Sequence, residues 1–573
     1  MKKKRVVFLI LLFGLGLRFY GLDWDQGHHL HPDERMMVMV VERLRWGNLN
    51  PKFFAYGSLP LYLLKAVSWL VSLVAGSAWA SYQYLPILGR IVSALFDVGT
   101  IFLIFKIGKK IWGERVGLWT AFLYATCVFP IQLAHFYAVD TILNFFVWLA
   151  LWQLLLFYEK AGVGSAIKVG ISFGLALSTK VSAAVLLAGL GAALFADLGL
   201  LAFKFWREQK KKWWLKIWLV LKRGKEKEIW FAIGKRIFGW GGVIVIVALL
   251  SFAVFEPYAL LDFTEFKKQI LAQQQMTKDA YVFPYTLQYV GTTPYFYHLK
   301  NMFLWGMGLA LGGGVLVGAI GYLRDLFKRI LEKGEYNQEA LELVLVFFGL
   351  AYFFVVGKFA IKFMRYFLPL YPWFILLGVV FLQKVFAFFK GALGKIFLGI
   401  LLFFHLGWLF SFISIYSKAH SRVQATLWMQ DNIRPGSVLA VEHWDDRLPL
   451  RGGEVFNFVE MPMYEPDESE RKWEIVEENL EKADYLILAS NRLYTPLQKL
   501  GDCLKYKRCY PKTARYYQDL FEGKLGFEKV AEFTSYPGLK IGNWKLEIND
   551  QIADESFTVY DHPRVIIFAR EKE

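Results

Sequence analysis

Apolar runs long enough to cross a bilayer recur from the N-terminus to about residue 416, separated by short basic clusters, and that alternation leaves few folds open. A hydrocarbon core about 30 Å thick needs about 20 predominantly apolar residues per helix. Inside it every backbone polar group must find its partner within the helix. Eleven spans are read near residues 6–22, 84–106, 116–132, 141–158, 168–180, 182–203, 236–256, 301–323, 341–357, 366–383 and 396–416. The chain is 56% hydrophobic and only 20% charged, below the roughly 25% charge of an average soluble domain. The fold class expected is a mainly α, polytopic transmembrane helical bundle with a C-terminal extracytoplasmic α/β domain.

The formal net charge of +17 sits mostly in the loops between apolar runs. There it orients helices and meets anionic lipid. No zinc-finger spacing, basic heptad region or other nucleic-acid motif accompanies it, which argues against nucleic acid as a partner. With Lys2 to Arg5 inside, the loops carrying Lys106 to Arg115, Lys160 and Lys168, residues 204–236, Arg324 to Arg329 and Lys384 to Lys395 all fall on the same side, as the positive-inside rule requires. That agreement treats 59–78 as an interfacial helix, because one more span would invert every later loop. The N-terminal stretch is read as the first span, since no small-residue cleavage pattern stands out before Asp23.

Two domains follow: a transmembrane part, 1–416, with a large first outer loop at 23–83, and a soluble part, 417–573. Within the latter, Ser421 to Ile433 and Thr513 to Glu522 read as helices. Ser437 to Glu442, Ala483 to Ala489, Phe557 to Tyr560 and Val565 to Ala569 read as strands. Cys503 and Cys509 form a disulfide if this domain faces an oxidising compartment, and Cys127 is a core residue.

The chemistry concentrates at the expected outer surface. Asp23 to Glu34 packs four carboxylates and three histidines beside the membrane. Asp33 and Glu34 suit the start of a helix, and a carboxylate at that mouth is also placed to accept a proton. Asp25, His28, His31 and Asp33 form an alternative, metal-binding reading whose spacing matches no specific site. Asp140 opens the fourth span, as an N-cap or as a second acidic group in an outer cavity. Lys180 lies at bilayer depth, where a lysine costs on the order of 2.5–3.5 kcal/mol unless it snorkels or meets an anion. Arg90 and Asp97, two helical turns apart, read as a structural pair. Lys358, Lys362 and Arg365 break the charge trend at an outward turn, and a guanidinium at Arg365 suits a phosphate. Glu256-Pro257-Tyr258 reads as a helix stop, and His405 as structural.

In order and placement these motifs resemble the GT-C glycosyltransferases that use a polyprenyl-phosphate sugar donor, including protein O-mannosyltransferases and aminoarabinose transferases. The residues that carry the resemblance are His31-Pro32-Asp33-Glu34, Gly89-Arg90, Tyr137-Ala138-Val139-Asp140, Ser178-Thr179-Lys180, Glu256-Pro257-Tyr258 and Arg365-Tyr366-x-x-Pro369. No Trp-Trp-Asp motif is present, which disfavours the oligosaccharyltransferase branch. The resemblance implies inverting transfer to a protein, lipid or glycan acceptor, with Asp33 as general base beside Glu34 and without a cofactor. It places Arg365, Lys180, Arg90 and Tyr366 around the phosphate, and Asp140, His31 and Tyr137 around acceptor or sugar. It also implies a bacterial plasma membrane. The rival reading is a transporter or flippase of a lipid-linked or anionic substrate, which performs no glycosyl transfer.

Overall fold

The computed structural model describes residues 2–195, 234–332, 337–389 and 392–571. Residues 204–233 of the basic stretch and the end of the span read at 182–203 lie outside the described residues. The N-terminal half is built from α1 (Lys2–Phe19), α2 (Pro32–Arg43), α3 (Ser58–Ala75), α4 (Leu85–Trp112), α5 (Glu114–Ala125), α6 (Val128–Ala134), α7 (Val139–Glu159) and α8 (Val163–Thr179). Then come α9 (Gly241–Phe255), α10 (Phe263–Lys278), α11 (Leu309–Glu332), α12 (Asn337–Val356), α13 (Leu370–Phe388) and α14 (Ala392–Ile413).

Among the described residues eight helices are long and apolar enough to cross a membrane, or nine if α5 and α6, bent by 58°, form one broken span. The protein is therefore an integral, multi-pass membrane protein, with fewer such helices than the eleven spans read from sequence. The span read at 6–22 ends at Phe19 and carries five basic residues in α1. That read at 116–132 breaks at Thr126–Cys127, and Pro130 lies in the first turn of α6, where its missing N–H costs nothing. α3, read as interfacial, has the length and hydropathy of a span. It packs on α2, α4 and α8, with its buried residues between Ser58 and Ser68.

Helix packing follows small residues. A Cβ on Gly170 or Gly174 of α8 would lie within 2.8 Å of α9 atoms, so only glycine lets the two backbones approach this closely. Buried charge is paired: Arg18 of α1 donates from Nε to Asp97 of α4 at 2.6 Å, and the Tyr124 hydroxyl donates to the same carboxylate at 2.7 Å. Asp97 is thus the partner of Arg18, and the expected Arg90–Asp97 pair does not form.

The C-terminal region holds a five-stranded sheet of order β2-β1-β3-β7-β4. Its strands are β1 (Val438–Glu442), β2 (Asn457–Met461), β3 (Tyr485–Leu488), β4 (Phe527–Phe533) and β7 (Val565–Arg570); β5 (Gly538–Ile541) and β6 (Trp544–Glu547) form a separate hairpin. β2, β1 and β3 run parallel, and β7 is antiparallel to β3 and β4. Helices Ser421–Asn432, Glu470–Lys482 and Pro511–Phe521 accompany it. Cys503 and Cys509 are bonded. Phe557 to Tyr560, expected as a strand, begins instead inside a short helix, Glu555–Thr558, because the Asp554 carboxylate caps the Ser556 N–H. This segment joins the helical core. Gln132 of α6 donates to the Phe557 carbonyl at 2.7 Å, and the Tyr416 hydroxyl donates to Asp561 at 3.0 Å. The sheet therefore sits on the end of the bundle that carries α2.

Candidate active site

α2 begins at Pro32, and the His31 ring accepts the Glu34 N–H at 3.3 Å as its cap. Successive helical residues point about 100° apart, so Asp33 and Glu34 face different neighbours. Glu34 turns inward to Arg90 of α4. Arg90 spends all five N–H donors: two on Glu34 at 3.0 and 2.6 Å, two on Asp25 at 3.0 and 2.7 Å, and one on the Leu22 carbonyl at 2.7 Å. All three side chains are buried. Glu34 also accepts the Tyr137 N–H at 2.8 Å, and the Tyr137 hydroxyl donates to the Pro60 carbonyl at 2.6 Å. His31 packs between the Phe136 and Tyr560 rings, at 4.4 and 4.3 Å.

These contacts revise four expectations. Arg90 has no donor left for a phosphate. Glu34, His31 and Tyr137 build the wall behind the site, and every polar atom named for them is already bonded within the fold. Of the residues in the metal reading, Asp25 is held by Arg90, His31 caps α2 and Asp33 meets Arg365. Among the described residues no three His, Cys, Asp or Glu side chains converge as a metal site.

Asp33 faces the other way and closes a row of four charges. Arg365 donates from Nη1 to Asp33. Its Nε lies 3.7 Å from Asp140, and Asp140 accepts from Lys180 Nζ at 3.0 Å. Lys180 sits in extended conformation just after α8, at the break before the turn of 181–185. Its ammonium lies 4.8 Å from the Tyr366 ring centre. The Asp33 side chain is 21% exposed and that of Arg365 is 10%. Burial opposes ionisation of Asp33, but the Arg365 guanidinium, then the Tyr56 hydroxyl and Lys180, outweigh it and hold the carboxyl below its ordinary range. Asp33 is therefore ionised at neutral pH.

A cavity of about 420 Å³ adjoins this row. Asp140, Lys180, Tyr56, Tyr352 and Tyr366 give it a polar end, and Leu143, Leu177, Phe252, Phe266, Val356 and Phe359 give it apolar walls. Glu256, read as part of a helix stop, also lines it and accepts the Ser58 hydroxyl at 2.8 Å and the Ser58 N–H. Burial pushes this carboxyl up to about 7 against those hydrogen bonds. Its only sequence signal was a carboxylate beside Pro257-Tyr258 at the end of an apolar run. Lys362, also singled out from sequence, donates to the Ala360 carbonyl at 2.9 Å, and His405 bonds Thr126 at 2.8 Å inside the bundle.

The stretch that holds Arg90, Tyr137, Asp140 and Lys180 also carries a family match. Residues 85–222 match the family of dolichyl-phosphate-mannose-protein mannosyltransferases. That match bears out the resemblance to lipid-carrier-dependent GT-C glycosyltransferases. No curated protein matches the sequence. Among solved structures the chain is similar to the oligosaccharyltransferase AglB of Archaeoglobus fulgidus in complex with an inhibitory peptide and a dolichol-phosphate, at 13% identity and a TM-score of 0.49 over 90% of this chain and 72% of that one. It is similar to ArnT of Cupriavidus metallidurans bound to undecaprenyl phosphate, at 13% identity and a TM-score of 0.47 over 86% and 94%. A shorter likeness, at 18% identity and a TM-score of 0.31 over 46% and 34%, is to the Saccharomyces cerevisiae Pmt1–Pmt2 protein O-mannosyltransferase complex bound to its sugar donor. These likenesses carry no residue-level correspondence.

Proposed function

We propose that this chain is a membrane glycosyltransferase that moves a sugar from a polyprenyl-phosphate carrier onto an acceptor, at the membrane face on which the C-terminal sheet sits. The positive-inside reading, which keeps α3 at the interface, supports an extracytoplasmic position for that face. The observation that supports this reading best is the row Asp33–Arg365–Asp140–Lys180 at the polar end of an apolar-walled cavity. Apolar walls suit an isoprenoid, and two cations beside them suit its phosphate.

In this reading the phosphate draws on Arg365 and Lys180, which in this structure pair with Asp33 and Asp140. As Arg365 turns to the phosphate, Asp33 loses its partner and becomes a stronger base. Asp33 takes the proton of the acceptor nucleophile as that atom bonds to the anomeric carbon. The bond from that carbon to the phosphate oxygen breaks with its electron pair, and the polyprenyl phosphate leaves. Attack opposite the leaving group inverts the anomeric centre. Arg365 and Lys180 stabilise the charge that grows on the departing phosphate.

The test is release of free polyprenyl phosphate by membranes that contain the chain. Asp33→Asn removes the base and is expected to slow release about 10²- to 10⁴-fold. Arg365→Met is expected to cost about 10²- to 10³-fold, as for loss of one preorganised charge partner. Release undiminished in Asp33→Asn refutes its role as base. Binding of the carrier lipid without any release favours a transporter instead.

A further inference from the structure

Trp444 combines strain and exposure beside the candidate site. It is one of five non-glycine residues with positive φ among those described, at φ +79°, and the residue is 47% exposed. A large side chain in the left-handed region is costly, and such strain persists only where the surroundings enforce it. They do so here. Trp444 lies in the loop after β1, and the next two residues are bound by buried charge. Arg422 donates to Asp445 at 2.8 Å and to Asp446 at 2.7 Å, and Ser490 donates to Asp445. Arg492 donates to the Trp444 carbonyl at 3.4 Å. The loop is also tied to the catalytic helix, because Arg35, two residues after Asp33, donates to Asp446 at 3.2 Å.

The indole lies 6.4 Å from the Tyr285 ring, centre to centre. Tyr285 in turn lies close enough to Asp33 and Arg365 to feel both charges. Asp33 is itself partly exposed. The Arg35–Asp446 bond brings the Trp444 loop to the helix that carries Asp33. The aromatic tract continues: Phe283 stacks on Tyr285 at 5.5 Å and 13°. It then enters a second cavity of about 430 Å³ lined by Tyr281, Phe283, Tyr464, Tyr510, Glu468 and Arg508.

We propose that this tract is an acceptor subsite for an oligosaccharide, with Trp444 as the stacking platform at its exposed end. Broad aromatic faces with polar groups at their rims suit pyranose rings, which present C–H faces edged by hydroxyls. A peptide acceptor would gain most from an open strand edge. β1 offers none, since β2 pairs on one side and β3 on the other. The assignment rests on the proposed glycosyl transfer for the identity of Asp33 as base, but the binding it describes is measured without turnover.

The probes are hexasaccharides linked α-1,4, α-1,6, α-1,2, β-1,3 and β-1,4, a set of Ser/Thr peptides, and short-chain polyprenyl phosphate. Each is titrated against the full chain in nanodiscs. Trp444→Gly is the decisive variant, because it removes the ring and also relieves the φ strain, so misfolding does not explain a loss. Expected is binding of at least one hexasaccharide that weakens tenfold or more in Trp444→Gly and is kept in Lys180→Ala, whereas polyprenyl phosphate shows the reverse. Three results overturn the subsite: no hexasaccharide bound, saccharide binding that survives Trp444→Gly, or binding of peptides alone. Failure of polyprenyl phosphate to bind, with saccharide binding intact, sinks the donor reading and leaves the subsite standing.

Discussion

Arg90 separates a structural role from a phosphate-binding one, and the outcome can be worked from its contacts. Its five donors all end on Asp25, Glu34 and the Leu22 carbonyl, and none of the three side chains reaches solvent. Arg90→Met keeps most of the volume and strands two carboxylates without a counter-charge. Breaking a buried pair by removing one partner costs about 3–5 kcal/mol. The two carboxylates cannot both stay ionised at close range, so one takes up a proton and limits the loss. That protonation gives the variant a signature: its deficit narrows as pH falls toward about 4, where carboxylates protonate. Cys127, the buried free thiol, supplies the assay, because a thiol-reactive dye labels it only on unfolding. Wild type is compared with Arg90→Met and with the triple variant Arg90→Met/Asp25→Asn/Glu34→Gln over a range of pH. The single variant is expected to unfold several degrees lower. The triple variant recovers part of the loss, since no charge is orphaned. Unchanged unfolding in Arg90→Met, together with a raised KM for the lipid donor, would refute the clamp and return Arg90 to the phosphate.

Three further outcomes follow from other contacts. Burial lifts Glu256 to about 7 from the 4.5 of an exposed glutamate, so the folded chain holds a proton that the unfolded chain releases. Glu256 therefore removes stability as pH rises from 4.5 to 7, and Glu256→Gln is expected to abolish that slope in dye-labelling melts. For His562, burial opposes the charge, but Asp550 and Asp561 outweigh it and hold the ring protonated up to about 10. Its stabilisation is complete below the unfolded value of 6.5 and is lost as pH climbs through about 10. His562→Gln is expected to show no such loss, read as protease sensitivity of the C-terminal region. Finally, a Cβ on Gly57 would lie 1.8 Å from the Ser178 carbonyl oxygen, where the Gly57 N–H donates to Thr179 at 3.0 Å. Gly57→Ala is expected to cost about 1–3 kcal/mol through overpacking and, by displacing the chain before Lys180, to weaken polyprenyl-phosphate binding.

The pairing of Asp33 with Arg365, 332 positions apart, followed from treating both as residues of one membrane face. Asp33 followed a local rule, as a carboxylate at a helix mouth, and Arg365 broke one, as a cation on the side that basic loops avoid. The sheet strands at 438–442, 485–488 and 565–570 were legible because fully buried strands read as short apolar runs. Arg90 was misread for a general reason. Helical spacing put Asp97 on its face, yet a buried charge takes whichever partners the fold brings close, and here loop 23–31 and α2 supplied them while α1 supplied Arg18 to Asp97. Charge counting placed α3 at the interface, but hydropathy alone does not distinguish that position from a span. Nothing in the sequence announced Trp444, since its significance is a backbone angle.

The segment around Tyr560 carries a consequence for biogenesis. Its ring closes over His31, its neighbour Asp561 engages α6, and both leave the ribosome only after every membrane helix described has been inserted. Domains emerging from the ribosome tend to fold in order from the N-terminus, yet this pocket stays unroofed until the polypeptide after α14 folds back onto the bundle. Premature termination near codon 550 would strand a fully inserted but uncapped bundle, a natural mark for membrane quality-control proteases.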